Sequence, residues 1–332
     1  MLPRDVVTRP APFGLTLAEI DRAAALIRDA VPPTPAFRWP LLCERLGVDV
    51  TLKHENHTPT GAFKVRGGLT YVEALRRRAP HVTRLVCATR GNHGQSIAFA
   101  ASRAGLRVTI VVPEGNSPEK NAAMRAFGAE VLVRGADFEA AQAHADLLAG
   151  DPNTARVPVY DRDLVSGVAT CARELFAAGR FDVVYVPVGR GSGISGAIAV
   201  RNLLGLETEI VGVVSERYPV YAEAFAQGRS LELEPPASVT IADGVAIRTS
   251  DPTALETIVA NVSRIVAVAD DAIEEAMRAI FAGTHNVAEG AGAAPVAAIA
   301  AERERLAGKR VAAILSGGNV DSEVFARVLS AR

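Results

Sequence analysis

The chain has 332 residues, 49% of them hydrophobic, which is enough for a large buried core divided between two domains or lobes. Its formal net charge of -1 argues against a nucleic acid or an acidic polymer as a partner. The three cysteines form neither a CxxC pair nor a disulfide framework, which is typical of a reducing compartment. Because the sequence shows no charged-then-apolar leader and no apolar run of membrane-spanning length, we expect a cytoplasmic protein without a membrane partner.

The first predicted elements are helices. The sequence TLAE at residues 16–19 has the pattern of a capping box and opens an amphipathic helix that runs to about Ala30. The prolines of residues 31–35 end this helix. A short helix over residues 39–46 and a strand over residues 48–53 follow.

From residue 85 onward, short β-branched runs alternate with alanine-rich helical stretches. This alternation is typical of parallel sheets with helices on both faces. The run VTIVV at residues 108–112 is apolar almost throughout, as expected for a strand buried on both sides. The sequence therefore predicts an α/β fold. The predicted strands cover residues 85–88, 108–112, 131–133, 183–188, 210–214 and 311–315.

The segment PTGAFKVRGG, residues 59–68, places Lys64 among small residues just past a predicted strand. The chain has only four lysines among its 36 basic residues, so arginine supplies nearly all of its positive charge. A lysine can lose its proton and condense with an aldehyde, which an arginine cannot do. Lys64 is therefore a candidate Schiff-base residue, although the segment taken alone favours a solvated lysine in a loop.

A glycine-rich turn, GRGSGISG at residues 189–196, follows a predicted strand and opens a helix. It contains G-x-G-x-x-G, and Glu216 follows the next strand, so the pattern matches a dinucleotide-binding fingerprint. Its glycines allow backbone N–H groups to approach a phosphate, and the helix adds the positive end of its dipole. The pattern leaves open whether that phosphate belongs to pyridoxal or to a dinucleotide, so an NAD-dependent dehydrogenase is one alternative.

Two further segments lie at the ends of predicted strands. The first, TRGNHGQ at residues 89–95, puts Asn92 and His93 at a predicted helix N-terminus, where free N–H groups favour a carboxylate. The second, LSGGNVD at residues 315–321, puts Ser316 at a strand end before two glycines. Each segment alone is also typical of an ordinary turn between a strand and a helix.

These four motifs, in this order, resemble those of the threonine dehydratase and serine racemase family of pyridoxal-phosphate enzymes, which have fold type II. The resemblance runs from about Leu17 to the C-terminus. It implies two α/β lobes, each a mostly parallel sheet flanked by helices, as in the tryptophan synthase β-subunit. Residues 1–83 and 160–332 would form the large cofactor-binding lobe, and residues 84–159 a small inserted one. It also implies pyridoxal 5'-phosphate as the cofactor, a small amino acid as the substrate, and a homodimer or homotetramer.

The resemblance assigns a role to each site residue. Lys64 would carry the cofactor and be the catalytic residue. Ser316 would face the pyridine nitrogen, where a hydroxyl does not hold a proton, so the ring is a weaker electron sink that suits elimination. The implied cofactor-binding residues are Phe63, Lys64, Asn92, Gly189, Arg190, Gly191, Ser192, Gly193, Gly244, Glu289 and Ser316. The implied substrate-binding residues are Thr89, Arg90, Gly91, Asn92 and His93, and no metal ligand is expected.

Two arginines depart from the family pattern. Arg90 stands where relatives carry serine or alanine, and in the racemases that serine is the second base. Because arginine is a poor proton acceptor, Arg90 argues against efficient racemisation. We hypothesise that it binds an anionic substrate, through the α-carboxylate or a side-chain carboxylate. Arg190 and Ser192 interrupt the usual run of glycines, and we expect Arg190 to contact the cofactor phosphate.

A second cluster of polar residues precedes the lysine motif. His54 and His57, with Glu55 between them, suggest a metal site, but their spacing differs from the helical HExxH arrangement and no third ligand is evident. Glu55 and Asn56 instead match the run that precedes the lysine in the family.

As a whole, the sequence predicts a pyridoxal-phosphate-dependent ammonia-lyase. It would convert a β-hydroxy-α-amino acid, such as L-threonine or L-serine, to a 2-oxo acid and ammonia by β-elimination. The alternatives are an amino-acid racemase on the same scaffold, a dehydratase of 3-hydroxyaspartate or of a bulkier β-hydroxy amino acid and, less strongly supported, the NAD-dependent dehydrogenase.

Overall fold

Two sheets organise the chain in the computed structural model, which describes residues 9–331. Within these residues the strands are β1 (Ala36–Arg38), β2 (Asp49–His54), β3 (Arg84–Ala88), β4 (Arg107–Val112), β5 (Glu130–Val133), β6 (Thr154–Arg156), β7 (Val183–Pro187), β8 (Glu209–Ser215), β9 (Arg264–Val268) and β10 (Arg310–Leu315). The α-helices are α1 (Leu17–Ile27), α2 (Pro40–Leu46), α3 (Lys64–Arg78), α4 (Asn92–Arg103), α5 (Pro118–Ala126), α6 (Phe138–Leu148), α7 (Arg162–Ala178), α8 (Ser192–Leu203), α9 (Val220–Gln227), α10 (Pro252–Asn261), α11 (Asp270–Thr284), α12 (Gly290–Ala301) and α13 (Ser322–Ser330).

The larger sheet has the strand order β1-β2-β10-β7-β8-β9, and the smaller sheet has the order β5-β4-β3-β6. Every neighbouring pair is parallel except β1 with β2. Helices connect the parallel strands and cover the sheets, so strands such as β4 are buried over most of their length. The predicted α/β fold with two mostly parallel sheets is therefore confirmed.

Helix α3 links the cores of the two sheets. Its residues Tyr71, Val72 and Leu75 are buried in one apolar cluster with side chains of β3 and α4 from the smaller sheet. Its other face packs closely on α7, where Gly67 lies against the backbone of Leu164. The strands of the smaller sheet extend from residue 84 to residue 156. The division of the chain into domains at residues 84 and 159 stays a prediction.

The sequence misplaced one local feature of the site. Lys64 does not lie in a loop but is the first residue of α3. The glycines at positions 67 and 68 are interior to this helix, because any side chain there would collide with α7 or with Ser96 of α4. Among residues 9–331, no helix is both long and apolar enough to cross a membrane.

Candidate active site

All fifteen predicted cofactor and substrate residues line one cavity of about 120 Å³. The cavity lies at the carboxyl ends of β3 in the smaller sheet and of β7 and β10 in the larger sheet. In parallel α/β folds this end of the strands is where ligands bind, because the strand-to-helix loops meet there. The structure thus brings the whole predicted set together, and the role of each residue stays a prediction.

Two paired loops place Lys64 and Ser316 in this cavity. Ala62 and Gly317 form an isolated antiparallel bridge, and the N–H of Phe63 donates to the carbonyl of Ser316 at 3.0 Å. The loop after β2 is therefore held against the loop after β10. As a result, the amine at the start of α3 and the hydroxyl at the end of β10 line the same cavity.

The surroundings of Lys64 favour its neutral form. Its Nζ lies 4.9 Å from the ring centroid of Phe63. Burial lowers the pKa of Lys64 to about 8, the positive charge of Arg190 acts in the same direction, and Glu289 opposes both. A sizeable fraction of this amine is therefore unprotonated near neutral pH, in the form that attacks a carbonyl carbon.

The glycine-rich turn presents a row of free donors at the start of α8. Gly191 precedes this helix with a φ of 96°, in the left-handed region that favours glycine. A side chain at Gly189 would collide with the carbonyl oxygen of Gly244. Within residues 9–331, the N–H groups from Gly189 to Ile194 have no hydrogen-bond partner. Together with the helix dipole they form a site for a phosphate.

The loop before α4 offers a second, smaller anion site. The hydroxyl of Thr89 accepts from the N–H of Gly91 at 3.0 Å and from that of Gly94 at 3.4 Å, which fixes the loop. The N–H groups of Asn92 and His93 stay without a partner in the described part of the chain. Two free donors at a helix N-terminus suit a carboxylate.

Glu289 forms part of the cavity wall and has one oxygen unsatisfied. Asn92 Nδ2 donates to its Oε1 at 2.7 Å, and Asn319 Nδ2 in turn donates to Asn92 Oδ1 at 2.8 Å. Its Oε2 is buried and has no hydrogen-bond partner among residues 9–331. Burial raises the pKa of Glu289 to about 7, against the lowering effect of the Lys120 ammonium. This carboxyl is therefore partly protonated near neutrality, when it can donate as well as accept.

His93 is a neutral group in the same wall. It is 8% exposed, and burial lowers its pKa to about 3, with the positive charge of Lys64 acting in the same direction. Its Nε2 has no partner within the described residues. A buried polar atom without a partner is costly, so this nitrogen is placed to bond to a ligand.

A reactive amine, a phosphate site and a carboxylate site thus share one cavity. A protein-family model described as "Pyridoxal-phosphate dependent enzyme" matches residues 27–317. The chain belongs to this family. The match confirms the family and the cofactor predicted from the sequence. It also assigns the glycine-rich turn to a pyridoxal-phosphate enzyme rather than to an NAD-dependent one.

Two curated relatives align with nearly all of this pyridoxal-phosphate enzyme. The L-threonine ammonia-lyase of Thermotoga maritima is 32% identical over 324 residues, which cover 95% of this chain and 78% of the relative. The L-threo-3-hydroxyaspartate ammonia-lyase of Saccharomyces cerevisiae is 31% identical over 321 residues, which cover 96% of this chain and 97% of the relative.

Solved structures share the same fold. A bacterial threonine deaminase, from the organism abbreviated T.th., has a TM-score of 0.85 at 33% identity and covers 92% of this chain and 99% of its own. A pyridoxal 5'-phosphate-dependent aspartate racemase has a TM-score of 0.87 at 30% identity and covers 94% of this chain and 98% of its own.

The residues of the cavity fit pyridoxal phosphate. The unbonded N–H groups at residues 189–194 match the phosphate, and Lys64 offers an amine of lowered pKa for the aldehyde carbon. Ser316, which is 4% exposed, supplies a hydroxyl at a strand end in the same cavity. The collision that excludes a side chain at Gly189 also keeps the backbone open to a ligand.

The two arginines that depart from the family pattern both line the cavity of this pyridoxal-phosphate enzyme. Arg90 is exposed at the β3–α4 loop. Arg190 is partly buried, and its Cζ lies 5.3 Å from the ring centroid of Phe138 in α6. Neither guanidinium makes an ion pair or a side-chain hydrogen bond within residues 9–331.

The sequence analysis missed an ion pair in the cavity wall. Lys120 of α5 is 8% exposed, and its Nζ bonds to Asp243 Oδ2. Neither residue was predicted as part of the site, because they lie 123 positions apart and only the fold brings them together. The rarity of lysine in this chain was the one available signal for Lys120. Phe138 was missed for the same reason, since it reaches the cavity from α6.

The polar run before Lys64 is structural in this pyridoxal-phosphate enzyme. His54 Nε2 accepts from the indole N–H of Trp39 at 2.9 Å, and the rings of His54 and His57 stack at 5.0 Å. Glu55 is buried and accepts from Arg66 at 2.6 and 3.0 Å. In the part of the chain that the structure describes, no group of three or more His, Cys, Asp or Glu side chains is arranged to hold a metal ion.

Proposed function

We propose that this protein is a pyridoxal-phosphate-dependent ammonia-lyase that removes water from a β-hydroxy-α-amino acid, such as L-threonine or L-serine, and releases a 2-oxo acid and ammonia. The observation that carries the proposal is the Lys64 amine, whose pKa is lowered to about 8, in one cavity with two separate anion sites. The relatives named as L-threonine and L-threo-3-hydroxyaspartate ammonia-lyases support the same reaction.

Each part of the cavity then has a task. Pyridoxal phosphate, when bound, supplies an aldehyde carbon for the amine and a ring that accepts the electron pair from the substrate α-carbon. The N–H groups at residues 189–194 hold the phosphate, and those of Asn92 and His93 hold the substrate α-carboxylate. Lys64 Nζ removes the α-proton, after which the β-hydroxyl leaves as water. Ser316 puts an uncharged hydroxyl at the ring nitrogen, which favours elimination over a long-lived carbanion.

An amino-acid racemase is the second candidate, since the aspartate racemase structure resembles this chain at 30% identity. A racemase needs a proton acceptor on the face of the substrate opposite the lysine. Arg90 stands at the loop position where the family's racemases carry that base, and a guanidinium stays protonated. Incubation with L-serine should therefore give pyruvate much faster than D-serine, and the opposite ratio would favour the racemase.

Removal of the Lys64 amine tests the proposed function directly. Lys64→Ala should lower 2-oxo acid production from L-threonine and L-serine by roughly 10³-fold or more, because base and cofactor anchor are lost together. Lys309→Ala is the matched control, since this lysine lies outside the cavity and pairs with Glu209. Borohydride should fix the cofactor mass on Lys64 in the wild type. Activity retained in Lys64→Ala, or cofactor fixed on Lys120, would contradict the assignment.

A cytoplasmic location and an assembly of two or four copies stay part of the proposal. All three cysteines are buried free thiols, which suits a reducing compartment. Analytical ultracentrifugation of the purified protein would measure the number of copies.

A further inference from the structure

The cavity carries more positive charge than its own acids neutralise. The titratable side chains that line it, besides the neutral His93, are Lys64, Arg90, Lys120, Arg190, Asp243 and Glu289. Lys120 is paired with Asp243, and the Glu289 carboxyl faces the Lys64 amine electrostatically. Arg90 and Arg190 remain, and neither has a carboxylate within 4 Å in residues 9–331.

Arg190 is the more informative of the two, because it is partly buried. Its guanidinium lies over the ring of Phe138, which covers one face but offers no hydrogen-bond acceptor. Such a group has lost part of its water without gaining an acceptor, and this cost is recovered when an anion binds. The side chain reaches away from its own turn to a helix of the other sheet, so it and the N–H groups of the turn serve different places.

The two anions that every substrate complex must contain already have sites. The cofactor phosphate has the N–H groups of residues 189–194 at the start of α8. The α-carboxylate has the N–H groups of Asn92 and His93 at the start of α4. Two guanidiniums are left, Arg90 from the smaller sheet and Arg190 from the larger. The unpartnered Nε2 of the buried His93 adds a neutral donor in the same wall.

We propose that Arg90 and Arg190 bind a second carboxylate on the β-carbon of the substrate, so that the preferred substrate is a β-hydroxy-α-amino dicarboxylic acid, of which 3-hydroxyaspartate is the smallest. This inference rests on the proposed ammonia-lyase function. A guanidinium binds a carboxylate through two parallel N–H bonds, which selects for the group and its orientation.

The reaction needs no further reactant. The α-C–H bond and the β-C–O bond break, and the hydroxyl leaves as water with the proton taken from the α-carbon. The released unsaturated amine rearranges to an imine and takes up one water, which expels ammonia. The net products are a dicarboxylic 2-oxo acid and one ammonia, with no oxidant or reductant.

L-Serine is the matched comparison, because it is 3-hydroxyaspartate without the second carboxylate. A substrate that lacks this group leaves the guanidiniums unpaired, so we expect the wild type to prefer L-threo-3-hydroxyaspartate over L-serine by about 100-fold or more in kcat/KM. Arg90→Met and Arg190→Met should each reduce this ratio by about tenfold or more, and Arg190→Lys should restore part of it.

Arg103→Met is the control. Arg103 also stacks on a phenylalanine, Phe99, at 5.8 Å, but it does not line the cavity, so the ratio should not change. Cofactor content, measured by absorbance after dialysis, separates the substrate role of Arg190 from a phosphate role. If Arg190→Met loses cofactor while the substrate ratio stays the same, the arginine serves the phosphate and the inference is wrong.

Ligand binding gives a readout that does not depend on turnover. Succinate has the carbon skeleton of 3-hydroxyaspartate without the reacting groups, and butyrate is the same length with one carboxylate. Calorimetry on the holoenzyme should show that succinate binds at least about tenfold more tightly than butyrate, and that either arginine variant removes the difference. Equal binding of the two acids by the wild type would overturn the inference.

The failure of the substrate inference differs from that of the proposed function. If L-serine or L-threonine is turned over and 3-hydroxyaspartate is not preferred, only the role of the two arginines is wrong. If none of the three yields ammonia, the proposed function is wrong. In that case a succinate preference that disappears in both arginine variants would still support the dicarboxylate site.

Discussion

At the scale of single residues, Lys64 depends on its neighbours for its reactivity. An ordinary lysine has a pKa of 10.5, whereas burial lowers that of Lys64 to about 8, helped by Arg190 and opposed by Glu289. In the folded protein the amine therefore becomes neutral as the pH rises through about 8. At pH 7 the neutral fraction is roughly 300 times that of an unperturbed lysine, by the ordinary titration equation.

This shift can be measured in the protein without cofactor. Acetylation of Lys64, followed by mass spectrometry, should increase about tenfold per pH unit below pH 8 and level off above it. Arg190→Met should move the midpoint upward, since it removes a positive charge, and Glu289→Gln should move it downward, since it removes a negative one. A midpoint above pH 10 would mean that the amine is solvated, as the lysine segment alone suggests.

The site residues that were predicted differ in kind from those that were missed. Lys64, Asn92 and Ser316 lie in short glycine-containing motifs at strand ends, where the local sequence reveals both the turn and the chemistry. Lys120 and Phe138 lie in helices of ordinary appearance. They reach the cavity only because the smaller sheet packs over it, and no local pattern encodes that contact.

At the scale of elements, a buried charge cluster anchors the start of α3. Arg66, two residues after Lys64, donates to Glu55 of the preceding loop and to both oxygens of Glu174 in α7, at 2.6–3.0 Å. Lys53 of β2 also bonds to Glu174 at 2.5 Å. Arg66, Lys53 and Glu55 are fully buried, so each charge depends on its partners. The cluster fixes α3 relative to β2 and α7, and with it the position of Lys64.

Loss of one partner should therefore be costly. Arg66→Met leaves Glu55 buried with only Lys53 as a cation, at 3.8 Å, and should lower the free energy of unfolding by about 3–5 kcal/mol. Arg77→Met is the matched control on the same helix. Its pair with Glu73 is exposed, and its loss should change the stability by less than about 1 kcal/mol. Urea unfolding followed by fluorescence of Trp39, the single tryptophan, measures both. Equal midpoints for the two variants would show that the cluster does not anchor the helix.

The accuracy of element prediction followed sequence pattern. Strands with several consecutive β-branched residues, such as β4 and β8, were predicted within one or two residues of their bounds. The strands β1 and β6 have three residues each and were missed, because so short a run carries no periodic signal. Helix α3 was missed because Gly67 and Gly68 resemble a turn, whereas they serve close helix packing.

At the scale of the whole molecule, α5 fastens the smaller-sheet lobe to the larger one. Ser117, which caps the helix, bonds to Asp321 before α13. Glu119 accepts from the N–H of Ser322 at 3.0 Å. These contacts and the pair of Lys120 with Asp243 join segments more than 120 residues apart in sequence. They close one side of the cavity, so opening this face requires that they break together.

Lys120→Met should loosen this closure without unfolding either lobe. The pair is only partly buried, since Asp243 is 35% exposed at its side chain, so its loss should cost about 1 kcal/mol. Amide hydrogen exchange should then be roughly fivefold faster in α5 and in residues 240–246 and 319–324. Arg125→Met removes a charge from an exposed position of the same helix and should leave exchange unchanged. If Lys120→Met also leaves exchange unchanged, the lobes are held by the packing of α3 on α4 and α7, and α5 is not what closes the cavity.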